Sequence, residues 1–318
     1  MRCLITGSPG FAGSHLTEYL LEQGQEVIGL AAEDESLANL KPFAQHVRVE
    51  RADLRNAQRV REVLRDTKPQ RIYHLAALSS PADSLQDPIL TYEVNFRGTL
   101  NLLLAWRELQ FDSRLLYVSS SDVYGLVRDE DLPLREDTPL RPANPYAASK
   151  AASEFLAFQF FQGYGLLIVR VRPFNHTGPR QSATFVCSSF AKQIAEVNAG
   201  LRPPTVAVGD LQLRRDFSDV RDIVRGYHLL LEKGQPGEVY QLCSGRAVSI
   251  EAILQILIAL ASRPIQVTAD PSKTRAQEAP VLCGDPSKAG RAVGWRPQYE
   301  LETTLRDLEL YWEGLLRS

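Results

Sequence analysis

Three glycines spaced three apart, Gly7, Gly10 and Gly13 in TGSPGFAG, follow a short apolar run and precede a stretch with Leu16, Leu20 and Leu21 at helical spacing. A strand that turns into a helix with so few side chains in between leaves its backbone open to close approach. The first turn of the helix then offers free N–H groups and the positive end of the helix dipole. Strand, glycine turn and helix in this order read as a site for the pyrophosphate of a dinucleotide.

The rest of the N-terminal half supports a fold that can present such a turn. Short β-rich runs at 2–6, 26–30, 47–51, 71–75, 115–119 and 166–171 alternate with segments of 3.6-residue periodicity such as 14–23 and 92–109. That alternation predicts right-handed βαβ crossovers and a doubly wound parallel sheet, an α/β fold with helices on both faces. Beyond Pro173 the pattern changes to a loop at 175–179, a helix near 185–198 and short elements separated by Gly and Pro. The expected division is a dinucleotide-binding domain over 1–173, with a returning segment near 215–243, and a smaller C-terminal α/β substrate domain mainly over 174–318.

Composition excludes several classes of function. With 36 Lys and Arg against 38 Asp and Glu the net charge is −2, and no block of like charge suggests nucleic acid as a partner. The uncharged apolar runs are far shorter than the roughly 20 residues of a membrane span. Four cysteines, Cys3, Cys187, Cys243 and Cys283, lie far apart without a CxxC pair, and the chain opens on a strand-like CLITG. The expectation is a reduced, cytoplasmic protein. No Cys/His cluster has metal-ligand spacing, so no metal is assigned.

Glu33, twenty residues past Gly13, is placed to bind the adenosine ribose hydroxyls, which leans the expected cofactor toward NAD over NADP; a solvated Glu33–Asp34 loop is the alternative. Asp53 either bonds the adenine amino group or caps a helix at Leu54. Tyr146 and Lys150 stand four apart in NPYAASK, on one face of a helix. An ammonium beside a phenol favours the phenolate and draws its pKa from near 10 toward working pH, which makes the pair a proton donor. Ser120, in YVSSSDVYG at the end of a strand, is the hydroxyl chosen to polarise a carbonyl, while Ser119 and Ser121 read as turn-capping residues. His176 reads as a packed loop histidine.

TGSPGFAG, YHLAAL, SSSDVYG, NPYAASK and RPFNHTGP occur in the order seen in the extended short-chain dehydrogenases/reductases, and the chain resembles that family over nearly its whole length. The resemblance implies a Rossmann domain, a nucleotide-sugar substrate and dimerisation through a four-helix bundle built from 92–109 and 147–161, the second carrying Phe155, Phe158 and Phe161. It adds Phe11, Ala12, Leu54, Leu75, Ala76, Ala77 and Pro173 to the cofactor site and Ser79 to the substrate site.

The segments RPFNHTGPRQ, RRDFSDVRDIV, VYQLCSG and RAQEAP resemble the members that act on GDP-linked 4-keto-6-deoxymannose. The implied activity is reduction of the C4 ketone to GDP-D-rhamnose with NAD(P)H. Asn175 would contact the sugar, Arg215 its diphosphate, and Arg275 with Glu278 the guanosine ribose; without the resemblance, Arg215 reads equally as an ion pair with Asp216 or Asp219. Asp122 decides among reactions, because related 4,6-dehydratases carry a glutamate base there. A GDP-mannose 4,6-dehydratase using Asp122, or a 4-epimerase, is the alternative activity.

Overall fold

The computed structural model describes residues 1–271 and 279–317. A seven-stranded sheet runs through it in the order β10-β6-β5-β4-β1-β2-β3, every neighbouring pair parallel. Its strands are β1 (Arg2–Thr6), β2 (Glu26–Ala31), β3 (Val47–Arg51), β4 (Arg71–His74), β5 (Arg114–Val118), β6 (Leu167–Pro173) and β10 (Val239–Leu242). The doubly wound fold read from the sequence is the fold observed.

Strand periodicity explains why the central runs are apolar on both faces. Cys3 and Ile5 of β1 enter one core and Leu4 the opposite one; Leu116 and Val118 of β5 are likewise opposed to Leu115 and Tyr117. Helices cover both faces, so both sets of side chains are mostly apolar, and the buried polar ones, such as His74 and Arg172, are held by hydrogen bonds. Helix α1 (Phe11–Glu22) shares the first core with α8 (Val220–Lys233), through Leu16, Leu20, Ile223 and Tyr227. On the other face α2 (Ala57–Thr67), α5 (Gly98–Leu109) and α6 (Pro145–Tyr164) bury Val60, Leu64, Leu102, Trp106 and Phe160.

The helix expected over 92–109 is an uneven one. Short helices α3 (Pro81–Gln86) and α4 (Pro88–Tyr92) precede a wider π-type turn at Glu93–Arg97, and only then does α5 begin. Such turns insert an extra residue and often mark functional positions. Here the turn buries Asn95, which accepts from Leu78 N at 2.8 Å and donates to Leu78 O at 3.1 Å and Ser149 Oγ at 2.9 Å. Periodicity alone does not show an inserted residue.

Beyond β6 the chain forms β7 (Asn175–Thr177), α7 (Val186–Asn198), β8 (Thr205–Val208) and β9 (Arg214–Asp219), then returns to the large sheet through α8 and β10. Next come β11 (Ala247–Ser249), α9 (Ile250–Ile258), β12 (Gln266–Ala269), β13 (Val281–Leu282), α10 (Ser287–Val293) and α11 (Leu301–Arg317). Strand β9 pairs with β11, β13 and β7, and β8 pairs with β12. Phe190, Ile194, Val206, Leu254, Leu257, Leu305 and Leu308 form a separate core there. The small lobe stands over the carboxyl edge of the large sheet, the edge where open α/β sheets bind ligands.

Candidate active site

A cleft of about 1370 Å³ lies between the two lobes, lined from the carboxyl ends of β1, β2, β4, β5 and β6 and from β7 and β9 above. Strand order reverses at β1 and β4, so the cleft opens at the topological switch point.

The glycine turn forms its floor. Gly7 N donates to Leu30 O at 2.9 Å, and Gly7 takes a φ of +73°, where a side chain is strained. Gly10 caps α1 with no side-chain acceptor, leaving the first N–H groups of the helix for a ligand. Gly13 touches the back of the turn, because a Cβ built on it would lie 2.0 Å from Gly7 O. Phe11, Ala12, Leu75, Ala76, Ala77 and Pro173 also line the cleft. These residues fit a pyrophosphate: the backbone is bare where a Cβ would otherwise fill the cradle.

Two buried groups that sequence reading missed hold this floor in place. His74 Nδ1 bonds Thr6 Oγ1 and Nε2 bonds Thr99 Oγ1, both at 2.8 Å, and Thr6 Oγ1 accepts from Ala76 N at 3.1 Å. Burial, then Lys150, holds the imidazole down at about 3, so it is neutral. Asn95 is the second. Lone polar residues in apolar runs carry no sequence signal of such roles.

At the adenosine end Glu35 stands on the cleft wall, while Glu33 is exposed and is not among the residues that line the cleft. The 32–35 turn curls back because Glu35 Oε2 accepts from Ala32 N at 3.1 Å and Arg51 Nη1 gathers the carbonyls of Ala32, Glu33 and Glu35 at 2.7–2.9 Å. Counting along the chain cannot anticipate that curl, and the lean toward NAD drawn from Glu33 loses its basis. Asp53 and Leu54 line the cleft, but Asp53 caps no helix at Leu54. Its carboxylate is taken by Arg55 N, Nε and Nη2, which holds its pKa below the usual range, and α2 is capped by Asn56 instead.

Tyr146 and Lys150 come from the first turns of α6. Asn144 Oδ1 accepts from Ala147 N at 2.8 Å, and Pro145 occupies the first helical position, where its missing N–H is not needed. The start of the helix is thereby fixed, with Tyr146 at the cleft (8% exposed) and Lys150 one turn deeper (4%). Lys150 Nζ lies 4.9 Å from the centre of the Tyr117 ring.

Burial, then the Asp122 carboxylate, pushes the Tyr146 phenol up, while a hydrogen bond with Ser120 pulls it down. The phenol expected to fall toward working pH therefore rises, because its own burial and Asp122 outweigh what lowers it; burial acts on the lysine too, and Lys150 falls to about 7, with Glu154 opposing the fall. The phenol is therefore fully protonated at neutral pH, the state a proton donor needs.

Ser120 both meets Tyr146 and caps the turn Ser121–Tyr124, its Oγ accepting from Asp122 N at 3.1 Å. The capping role expected of Ser119 and Ser121 is thus carried by Ser120, because its extended φ and ψ of −157° and 153° aim Oγ at the turn. Ser119 Oγ is buried on the cleft wall with no hydrogen-bond partner among the described residues. A buried hydroxyl left so is poised to meet a ligand.

The turn is braced from behind by a buried network. Arg172 Nη2 and Nε fork onto Glu154 at 2.7 and 3.0 Å, and Arg172 Nη1 donates to Tyr124 Oη at 2.8 Å and Glu136 O at 3.0 Å. Gln241 Nε2 donates to the same phenol oxygen at 2.6 Å.

On the substrate side Asn175, Asp122, Arg215 and Phe174 line the cleft, and Ser79 stands at its exposed rim. Arg215 is buried, and its Nη1 donates to Arg214 O and Ala279 O, both at 2.9 Å. Among the described residues neither Asp216 nor Asp219 is its ion-pair partner: Asp219 pairs with Arg221 at 2.6 Å, and Asp216 accepts from Ser244 N, Gly245 N and Gly284 N. Arg275 and Glu278 lie outside the described residues. His176 Nδ1 bonds Phe174 O at 2.9 Å and its ring stacks on Phe11, with 5.7 Å between centroids. Among the described residues no group of His, Cys, Asp and Glu side chains is arranged to hold a metal, and no helix is long and apolar enough to cross a membrane.

Residues 4–308 match the family described as GDP-mannose 4,6 dehydratase. GDP-6-deoxy-D-mannose reductase of Pseudomonas aeruginosa is 34% identical over 317 residues, covering 100% of this chain and 99% of the relative. GDP-mannose 4,6-dehydratase of Yersinia enterocolitica is 29% identical, covering 95% and 91%. Among solved structures, that of RMD from Pseudomonas aeruginosa complexed with NADPH superposes with a TM-score of 0.88 at 33% identity, covering 99% of each chain.

Proposed function

The chain belongs to the GDP-mannose 4,6-dehydratase family, and within it we propose that it is a reductase, converting GDP-4-keto-6-deoxymannose to GDP-D-rhamnose at the expense of NAD(P)H. The observation that carries this reading is end-to-end similarity to a GDP-6-deoxy-D-mannose reductase at 34% identity, joined to a cleft that holds a protonated Tyr146.

When bound, the dinucleotide supplies hydride to the sugar C4. The glycine turn and the start of α1 hold its pyrophosphate, and Lys150 reaches the nicotinamide ribose. Ser120 and Tyr146 hydrogen-bond the ketone oxygen, and Tyr146 gives up its proton as negative charge develops there. Asn175 orients the sugar and the Arg215 guanidinium takes the diphosphate, the Arg275–Glu278 segment completing the nucleoside end. The large sheet with α8 and β10 is the dinucleotide domain in this reading, and the lobe built on β9 selects the sugar.

Incubating purified protein with the keto sugar and NADH or NADPH tests this directly. Stoichiometric loss of 340 nm absorbance with GDP-D-rhamnose formed supports the reductase. Untouched coenzyme refutes it.

Asp122 keeps a second reading in play, because it is a cleft carboxylate close enough to raise the Tyr146 pKa, and the family includes dehydratases. The two readings part at Asp122→Asn. Reduction needs no base, so the variant is expected to keep ketone reduction within about tenfold, whereas dehydration without its base falls by about 10²–10⁴. Conversion of GDP-mannose by the wild type, lost in the variant, would identify a dehydratase.

The protein is also proposed to work as a homodimer in a reducing, cytoplasmic setting, which its four free cysteines suit. Helices α4 and α5 pack beside α6 and together expose Ile89 (77%), Phe155 (59%), Phe158 and Leu104. So many large apolar side chains at a surface favour association. Phe155→Glu is expected to sediment as a monomer with its melting temperature nearly unchanged; a wild type that sediments as a monomer would remove the proposal.

A further inference from the structure

Lys150 sits among groups from every element around it. His74 of β4, bonded to Thr6 and Thr99 and held neutral by burial and then by Lys150 itself, and Tyr117 of β5 pack against it. Tyr146 lies one turn earlier on α6, with Asp122 and Tyr227 close to its phenol. None of these offers Lys150 a carboxylate of its own. Glu154, one helical turn later, does: residues four apart share a helix face, and Glu154 is 1% exposed. Its far side is gripped by Arg172, with Arg170 Nη1 at 3.6 Å, so the carboxylate cannot swing out to water.

We infer that Glu154 is a positioning residue for the reduction, the fixed counter-charge that keeps Lys150 an ammonium where the lysine touches coenzyme. The inference rests on the reductase reading above for its bearing on turnover, but not for its electrostatics. The two arginines hold the Glu154 carboxylate in one orientation, and the same Arg172 braces the Ser120–Asp122 turn through Tyr124. One buried network thus serves both halves of the catalytic set. Burial drives Lys150 down, and Glu154 is the charge that opposes it and limits the fall to about 7.

Direct titration of Lys150 tests this. Protein labelled with ¹³C-lysine is followed by NMR across pH, with Lys150→Arg used to assign the signal. Glu154→Gln is expected to move the Lys150 midpoint down by about one pH unit, an effect of the size an opposite charge at that range exerts. Glu154→Asp, which keeps the charge, leaves it near the wild-type value. If Glu154→Gln folds poorly because two buried arginines lose their partner, Glu154→Gln/Arg172→Gln removes one buried charge of each sign, leaves the net charge of the network unchanged, and is expected to give a shift in the same direction.

In kcat/KM the alkaline limb should move to lower pH with the NMR midpoint, and activity recover at acid pH, whereas a loss of packing alone would lower the whole profile without moving the limb. A Lys150 midpoint unchanged in both variants overturns the inference. A wild type that never oxidises coenzyme on the keto sugar overturns the reductase reading instead and leaves the NMR result standing.

Discussion

Replacing Tyr146 by phenylalanine is expected to lower kcat for ketone reduction by about 10³, within the range a positioned general acid contributes, while coenzyme binds within a few-fold of the wild type. The phenyl ring fills the same volume, and the side chain is almost wholly buried, so the fold has little reason to respond. What is lost is one proton held where the sugar alkoxide develops. Burial and Asp122 keep that proton on the phenol throughout the neutral range, so the wild type needs no acid condition to donate it. Lys150, near 7, carries its charge below that pH and loses it above. Free-enzyme kcat/KM is therefore expected to be level on the acid side and to decline as pH rises through the Lys150 pKa, since kcat/KM reports groups of the free enzyme. Near-normal turnover in Tyr146→Phe, with the pH profile intact, would take Tyr146 out of the acid role and leave Ser120 or Asp122 to be tested for it.

The parts of this protein that follow from periodicity were legible in its sequence. Strands such as β1 and β5 sit between two helical layers, so their central side chains are apolar on both faces and the run stands out. The Asn144–Pro145 start fixes the register of α6 and with it the shared face of Tyr146 and Lys150, which is why a four-residue spacing could be read as one face. Local hydrogen bonds that redirect a chain were not legible. Glu33 held the counted position, yet three carbonyls on Arg51 turn the loop and bring Glu35 to the cleft. The position of Ser120 in SSSDVYG sets it apart from its neighbours, but its capping bond to Asp122 N depends on φ and ψ values that composition does not encode. Long-range contacts were equally hidden. Glu154 lies in plain view four residues past Lys150, but its meaning depends on Arg172, eighteen residues away on a strand behind it.

Alanine at Gly13 is expected to raise the dissociation constant for the dinucleotide by about a hundredfold, equivalent to about 2.7 kcal/mol, and to lower the melting temperature as well. Helix propensity alone predicts the opposite sign, since alanine in a helix is favoured over glycine by about 1 kcal/mol. Packing overrides it here. The added Cβ would sit 2.0 Å from Gly7 O and 2.9 Å from both Gly7 C and Ser8 Cα, all backbone atoms that no rotamer change can withdraw. Nor can the turn retreat, because Gly7 is pinned from its other side, where a Cβ of its own would lie 2.9 Å from Ala76 Cα and 3.0 Å from Ala76 N. The helix must therefore tilt away from the turn, and its N–H groups leave the place where a pyrophosphate would be held. Gly314 in α11 provides the control, because nothing lies within 4 Å of a Cβ built there. Gly314→Ala should stabilise by up to about 1 kcal/mol through propensity and leave coenzyme affinity unchanged. Fluorescence titration with NADH and NADPH, beside thermal melts of both variants, reads the two effects separately. Coenzyme affinity retained in Gly13→Ala would mean that the glycine turn is not the dinucleotide cradle, whatever the melting curves show.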